Sequence, residues 1–175
     1  MSRTSPARPA PPNPSPYRVC FVCTGNICRS PMAEALFRHL VDDARLSDRI
    51  EVDSAGTGDW YTGDPPQPGT LEVLRRHGID GGDLHARGFE QGDFERFDLI
   101  VCLDTGHRDV LRPYAGGYAD RIHLLREYDP DADSPNVPDP YLGPLSGFEL
   151  AYSLIEPACA GLLEAVTAEI GAVER

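Results

Sequence analysis

Strands alternating with helices predict an α/β fold: one domain built as a three-layer α/β/α sandwich around a central, mostly parallel four-stranded sheet. Two observations carry this. Four short apolar runs are separated by segments of helical periodicity, and 175 residues with 41% hydrophobic content suffice for one core. Tyr17–Val22 reads as the first, buried strand and runs into the turn-like Cys23-Thr24-Gly25-Asn26. Pro31 suits the first helical position with Ser30 as N-cap, and Ala33, Leu36, Phe37, Leu40 and Val41 form an apolar stripe. Ile50–Ala55 alternates as a second strand, and Gly56–Pro68 is a Gly/Pro loop holding the only Trp. Thr70–His77 is a short helix stopped by Gly78. Phe97–Cys102 is a third strand, Gly106–Leu111 a short helix, and Arg121–Leu125 a fourth strand. Glu127–Gly147 is a loop with five Pro. The last helix begins at Phe148, with Ala151, Tyr152, Ile155, Cys159, Leu162, Leu163 and Val166 on its apolar face, and Pro157 is expected to kink or split it.

The first 16 residues hold six Pro and two Arg with no apolar stretch. Residues 1–16 therefore read as a disordered Pro-rich tail and 17–175 as the domain, with no secretory signal. The net charge is −12, and all 16 basic residues are Arg. This excludes a general nucleic-acid surface and a polybasic membrane anchor. No run approaches the ~18 apolar residues of a bilayer-spanning helix. Five Cys at uneven spacings fit a reducing, cytoplasmic setting rather than a disulfide scaffold. Nothing in the sequence fixes an oligomer, and a monomer or weak dimer is expected.

Ligands of parallel sheets bind beyond the carboxyl ends of the strands, and Cys23 follows the first strand directly. In Cys23-Thr24-Gly25-Asn26-Ile27-Cys28-Arg29-Ser30, Gly25 and Asn26 tolerate positive φ, so backbone N–H groups can curl inward. The loop feeds a helix N-terminus, and Arg29 adds a planar fork. Together they make a cradle for a tetrahedral dianion, and the same field favours a thiolate at Cys23. Cys-x5-Arg alone is weak, since Cys102 to Arg108 also fits. There Asp104 would put a carboxylate in the cradle and repel phosphate, and the Ser-Pro helix start is missing. Cys102 therefore reads as a buried thiol.

Val19–Glu34, VCFVCTGNICRSPMAE, closely resembles the active-site segment of the bacterial low-molecular-weight protein tyrosine phosphatases. The resemblance continues at Asp53–Gly58, Phe97–Asp104 and Asp139-Pro140-Tyr141, so it covers about Tyr17–Val166. It implies a Rossmann-like, flavodoxin-like sheet and hydrolysis of phosphotyrosine on proteins, with inorganic phosphate as product and no cofactor or metal. Cys23 would attack phosphorus and carry a phosphocysteine. Arg29 and the backbone of Thr24, Gly25, Asn26, Ile27, Cys28 and Arg29 would bind the phosphate oxygens, with Ser30 closing the segment. Asp139 would protonate the leaving group and then activate water. Asn26, Ser30 and Ser54 would shape the loop, while Ile27, Trp60 and Tyr141 would line the aromatic pocket. Cys28 would be the redox partner of Cys23. Leu142 replaces a second aromatic, the His of the family's His-x-Ala-Arg is displaced to His85, and Pro157 is unusual. None of these touches Cys23, Arg29 or Asp139.

Rival readings are weighed on single residues. An arsenate reductase would need paired cysteines near the third strand, and Cys102 is followed seven residues on by Asp109. A protein-arginine phosphatase resembles this chain but carries Thr where Ile27 stands, and an apolar Ile favours an aromatic ring over a guanidinium. A phosphate-binding module without turnover would lack Cys23, Arg29 or Asp139. Asp129-x-Asp131-x-Asp133 lacks the Gly and the final Glu of a calcium loop. Cys20-x-x-Cys23 has no second ligand pair, and the five His show no ligand spacing.

Overall fold

The computed structural model describes residues 15–173. The tail reading therefore falls almost wholly on residues outside the description. Four strands, β1 (Tyr17–Cys23), β2 (Ile50–Gly56), β3 (Leu99–Cys102) and β4 (Ile122–Leu124), form one parallel sheet in the order β2-β1-β3-β4. β1 is central because Val19–Cys23 is apolar on both faces, as an interior strand requires. Alternation along it divides the core. Val19 and Phe21 face α1 (Arg29–Asp43), α2 (Pro68–Arg76) and α5 (Leu145–Val173). Cys20 and Val22 face a smaller layer with Phe94 of α3 (Asp93–Arg96) and Leu111 of α4 (Thr105–Leu111).

The sheet sets the site. Cys23 pairs with Gly56 and Val22 with Cys102, so β1, β2 and β3 end together on one edge. The loops after them converge where the strand order reverses.

The sequence placed all four strands and the α1, α2, α4 and α5 helices, with shifted ends. α3 was not foreseen, since one turn of Asp-Phe-Glu-Arg shows no periodicity. α5 starts at Leu145 rather than Phe148: Leu145, one turn ahead of Phe148, also packs on the core. Pro157 does not split α5, which runs 29 residues. It sits on the exposed side, where the carbonyl it leaves unpaired reaches water. By length and composition, Leu145–Gly171 is apolar enough to cross a membrane, with hydropathy 1.2 over its best window. Its apolar face is nevertheless buried core: Phe148, Ala151, Tyr152, Ile155, Ala158, Cys159, Leu162 and Val166 all pack inside.

Gly161 permits one close approach. A Cβ there would lie 1.9 Å from the Tyr128 carbonyl oxygen, so α5 rests directly on the backbone of the 3-10 segment Leu125–Tyr128.

Candidate active site

The Cys23–Arg29 loop leaves β1 and enters α1 two residues earlier than expected. α1 begins at Arg29, and no side chain caps it. Ser30 is therefore not the N-cap, because its hydroxyl is committed elsewhere, 2.9 Å from the Cys23 Sγ. An uncapped helix start leaves its first N–H groups to an anion. Asn26 takes φ 59, the left-handed turn that curls the loop.

The hydrogen bonds beneath the loop have a fixed sense. The Arg87 backbone N–H donates to Asn26 Oδ1 at 3.0 Å, which orients the amide. Asn26 Nδ2 then donates to Ser30 Oγ at 2.7 Å and to Ser54 Oγ at 2.8 Å. The Ser30 hydroxyl, so placed, lies within hydrogen-bond reach of the Cys23 sulfur. The Ser54 hydroxyl in turn donates to Glu34 Oε1 at 2.6 Å. Glu34 is buried beside Arg38, and burial raises its carboxyl above the ordinary value. Arg87 holds its own place through Asp93 at 2.8 Å and Asp53 at 3.1 Å.

Arg29 is 3% exposed. Its Nη1 donates to Asp104 Oδ2 at 2.7 Å and to the Val137 carbonyl at 2.8 Å, and its Nη2 lies 3.3 Å from His107 Nε2. Its Nε is buried without a partner among the described residues, a donor suited to an oxyanion. Asp104 thus has a different place from the one expected. It does not repel phosphate from a second cradle; it caps α4 and anchors Arg29. The Arg29 guanidinium and the α4 start hold its carboxyl below the usual range against its own burial. His107 accepts from the Asp104 N–H at Nδ1, 3.2 Å away, and its Nε2 also lies 3.0 Å from Thr24 Oγ1. Burial, with Arg29 adding to it, pushes its pKa down to about 4.

Asp139 is half exposed and approaches Arg29 Nη2 at 3.7 Å. It lines a cavity of about 180 Å³ with Cys23, Thr24, Gly25, Ile27, Cys28, Arg29, Trp60, Tyr61 and Tyr141. The expected nucleophile, cradle, acid and pocket walls therefore meet in one place. Asn26, Ser30 and Ser54 lie beneath the loop rather than on the wall. Cys28 shares the cavity as a free thiol, and burial followed by the nearby Cys23 pushes it up to about 12. Cys102 is fully buried, with its thiol raised by burial, as the sequence indicated. Asp104, His107, Glu34 and Tyr61 were missed. A capping signature was present for the first two, since Asp104 precedes a helix with a polar side chain, His107, at the third helical position.

A thiol at the end of a central strand, under an uncapped helix start and beside a buried Arg, defines a cysteine-centred site for a tetrahedral oxyanion. The sequence model of the low molecular weight phosphotyrosine protein phosphatases matches residues 18–172, and the chain belongs to that family. It is 52% identical over 161 residues to the low molecular weight protein-tyrosine-phosphatase of Streptomyces coelicolor, covering 88% of this chain and 96% of that one. The crystal structure of YfkJ from Bacillus subtilis superposes with a TM-score of 0.85 at 43% identity, over 89% of this chain and 98% of that one. The crystal structure of DARP, a Drosophila arginine phosphatase, gives a TM-score of 0.77 at 35% identity, over 85% and 96%.

Proposed function

We propose that this protein hydrolyses phosphotyrosine on proteins through a cysteinyl-phosphate intermediate, releasing inorganic phosphate. The observation that supports the reading is the chain from the Arg87 N–H through Asn26 to Ser30, whose hydroxyl stands 2.9 Å from the Cys23 sulfur, where it can donate to a thiolate. Cys23 attacks phosphorus while Arg29 and the loop N–H groups hold the equatorial oxygens; the bond to the tyrosine oxygen breaks as Asp139 delivers its proton there. Water, deprotonated by Asp139, then displaces the thiolate and frees phosphate. Phosphoryl transfer asks mostly for positioning and charge stabilisation. The bonds from Asp104 and the Val137 carbonyl supply the positioning of Arg29. Cys28, in the same loop, is the residue that would trap an oxidised Cys23 as a disulfide.

The apolar side chain of Ile27 on the cavity wall, with Trp60, Tyr61 and Tyr141, supports an aromatic substrate over a guanidinium. The likeness to an arginine phosphatase keeps phosphoarginine as the second reading. The charge of −12 supports protein rather than nucleic-acid or membrane partners. A monomer or weak dimer acting in the cytoplasm completes the proposal. Rapid-quench trapping tests the mechanism. Labelled phosphate should appear on Cys23 within one turnover. Cys23→Ser should abolish turnover while phosphate still binds, and undiminished turnover would refute the route.

A further inference from the structure

One tie across the cavity mouth is used by no step of that chemistry. The Tyr61 hydroxyl donates to the Tyr141 hydroxyl at 3.1 Å, with the rings 6.2 Å apart and tilted by 60°. Tyr61 sits on a loop stitched to the cradle. Thr57 N–H donates to the Cys23 carbonyl at 2.8 Å, Gly58 N–H to Thr24 at 3.0 Å and Gln67 N–H to Ile27 at 2.8 Å. The Tyr61 ring lies on Gly25, where a Cβ would come within 2.8 Å of it, so only glycine leaves room there. Tyr61 is therefore fixed relative to Cys23.

Tyr141 belongs to the other wall. Its backbone N–H donates to Asp139 Oδ1 at 3.1 Å. The segment carrying both is anchored upstream at Val137, whose N–H donates to the Leu103 carbonyl at 2.9 Å, and α5 does not begin until Leu145. Between these points Asp139 is half exposed, and its carboxylate stands 3.7 Å from Arg29. The Tyr141 hydroxyl reaches from this segment back to the cradle side.

We propose that Tyr61 is a positioning residue for the proton donor: its hydroxyl clasps Tyr141, and the Tyr141 backbone N–H holds the Asp139 carboxyl over the cavity. The inference rests on the reading of Asp139 as general acid. Loss of the clasp should harm most the substrates whose leaving oxygen needs that proton.

The test compares kcat/KM for phenyl phosphate and para-nitrophenyl phosphate in wild type, Tyr61→Phe, Tyr141→Phe, the double variant and Asp139→Asn. Tyr61→Phe keeps the ring and removes only the hydroxyl. One neutral hydrogen bond corresponds to roughly a fivefold effect, so phenyl phosphate should lose about that much relative to the nitrophenyl ester. The double variant should be no worse than the poorer single variant, because both singles break the same bond. Asp139→Asn should shift the ratio further in the same direction. Equal losses on both substrates, or additive losses in the double variant, would overturn the clasp. An unchanged ratio in Asp139→Asn would instead refute the general-acid reading, and tyrosine titration then decides the clasp alone. Donation to Tyr141, with Cys28 and Asp64 nearby, raises the Tyr61 phenol. Tyr141→Phe should bring it down, as followed by carbon-labelled tyrosine; a titration indifferent to Tyr141→Phe would refute the contact itself.

Discussion

Cys23 is useful only because its neighbours have no freedom. Asn26 cannot flip while Arg87 N–H holds its oxygen, and Ser30 cannot turn away while Asn26 donates to it. Arg29 is fixed in the same manner by Asp104. Asp104→Asn separates the two duties of that residue. Asn caps a helix as well as Asp does, so α4 and the melting temperature should change little. The charge-assisted bond to Arg29 is lost, and kcat/KM on aryl phosphates should fall roughly tenfold or more. Unaltered kinetics would show that the Val137 carbonyl alone suffices to hold Arg29. The meeting of Cys23, Arg29 and Ser30 was legible because they are contiguous and carry a family pattern. Asp104 and His107 were not, since they serve Arg29 from 75 and 78 residues away and sequence spacing does not report such contacts.

At the scale of elements, the strand-loop-helix of β1 and α1 and the parallel order were legible in alternation and helical periodicity. Helix ends were not. The first turn of α5 adds a single partly buried Leu145 ahead of Phe148, too little for periodicity to register, and α1 starts without a side-chain cap, so neither end leaves a clear mark in the sequence. Nor does the fit of α5 on the Leu125–Tyr128 segment, which depends on the missing side chain of Gly161. Gly161→Ala would gain helix propensity but drive a methyl group into the Tyr128 carbonyl. Overpacking of this kind costs about 1–3 kcal/mol, so thermal unfolding should come at lower temperature despite the better helix former. A rise in melting temperature would contradict the contact.

For the molecule as a whole, the groups beneath the site tie stability to pH. His107 takes a proton near pH 6.5 in the unfolded chain and only near 4 when folded. Between those values the unfolded state binds more protons, so stability present above 6.5 is lost as the pH falls toward 4, by about 3 kcal/mol. The charges facing His107 are Asp104 and Asp139, which favour its protonation, and Arg29, which opposes it. Glu34 acts in the opposite sense. Its raised carboxyl binds a proton in the folded state first, which adds stability as the pH falls toward 4.5. Melting temperatures from pH 7 to 4.5 should fall more steeply in wild type than in His107→Gln, and equal slopes would remove His107 from the account. The central claim is a cysteine-centred site shaped for an aromatic phosphate. Its most direct test is the initial rate of wild type on a phosphotyrosine peptide and a phosphoarginine peptide of the same flanking sequence, under reducing conditions. Strong preference for phosphotyrosine is expected, and faster turnover of phosphoarginine would contradict the aromatic reading of the pocket.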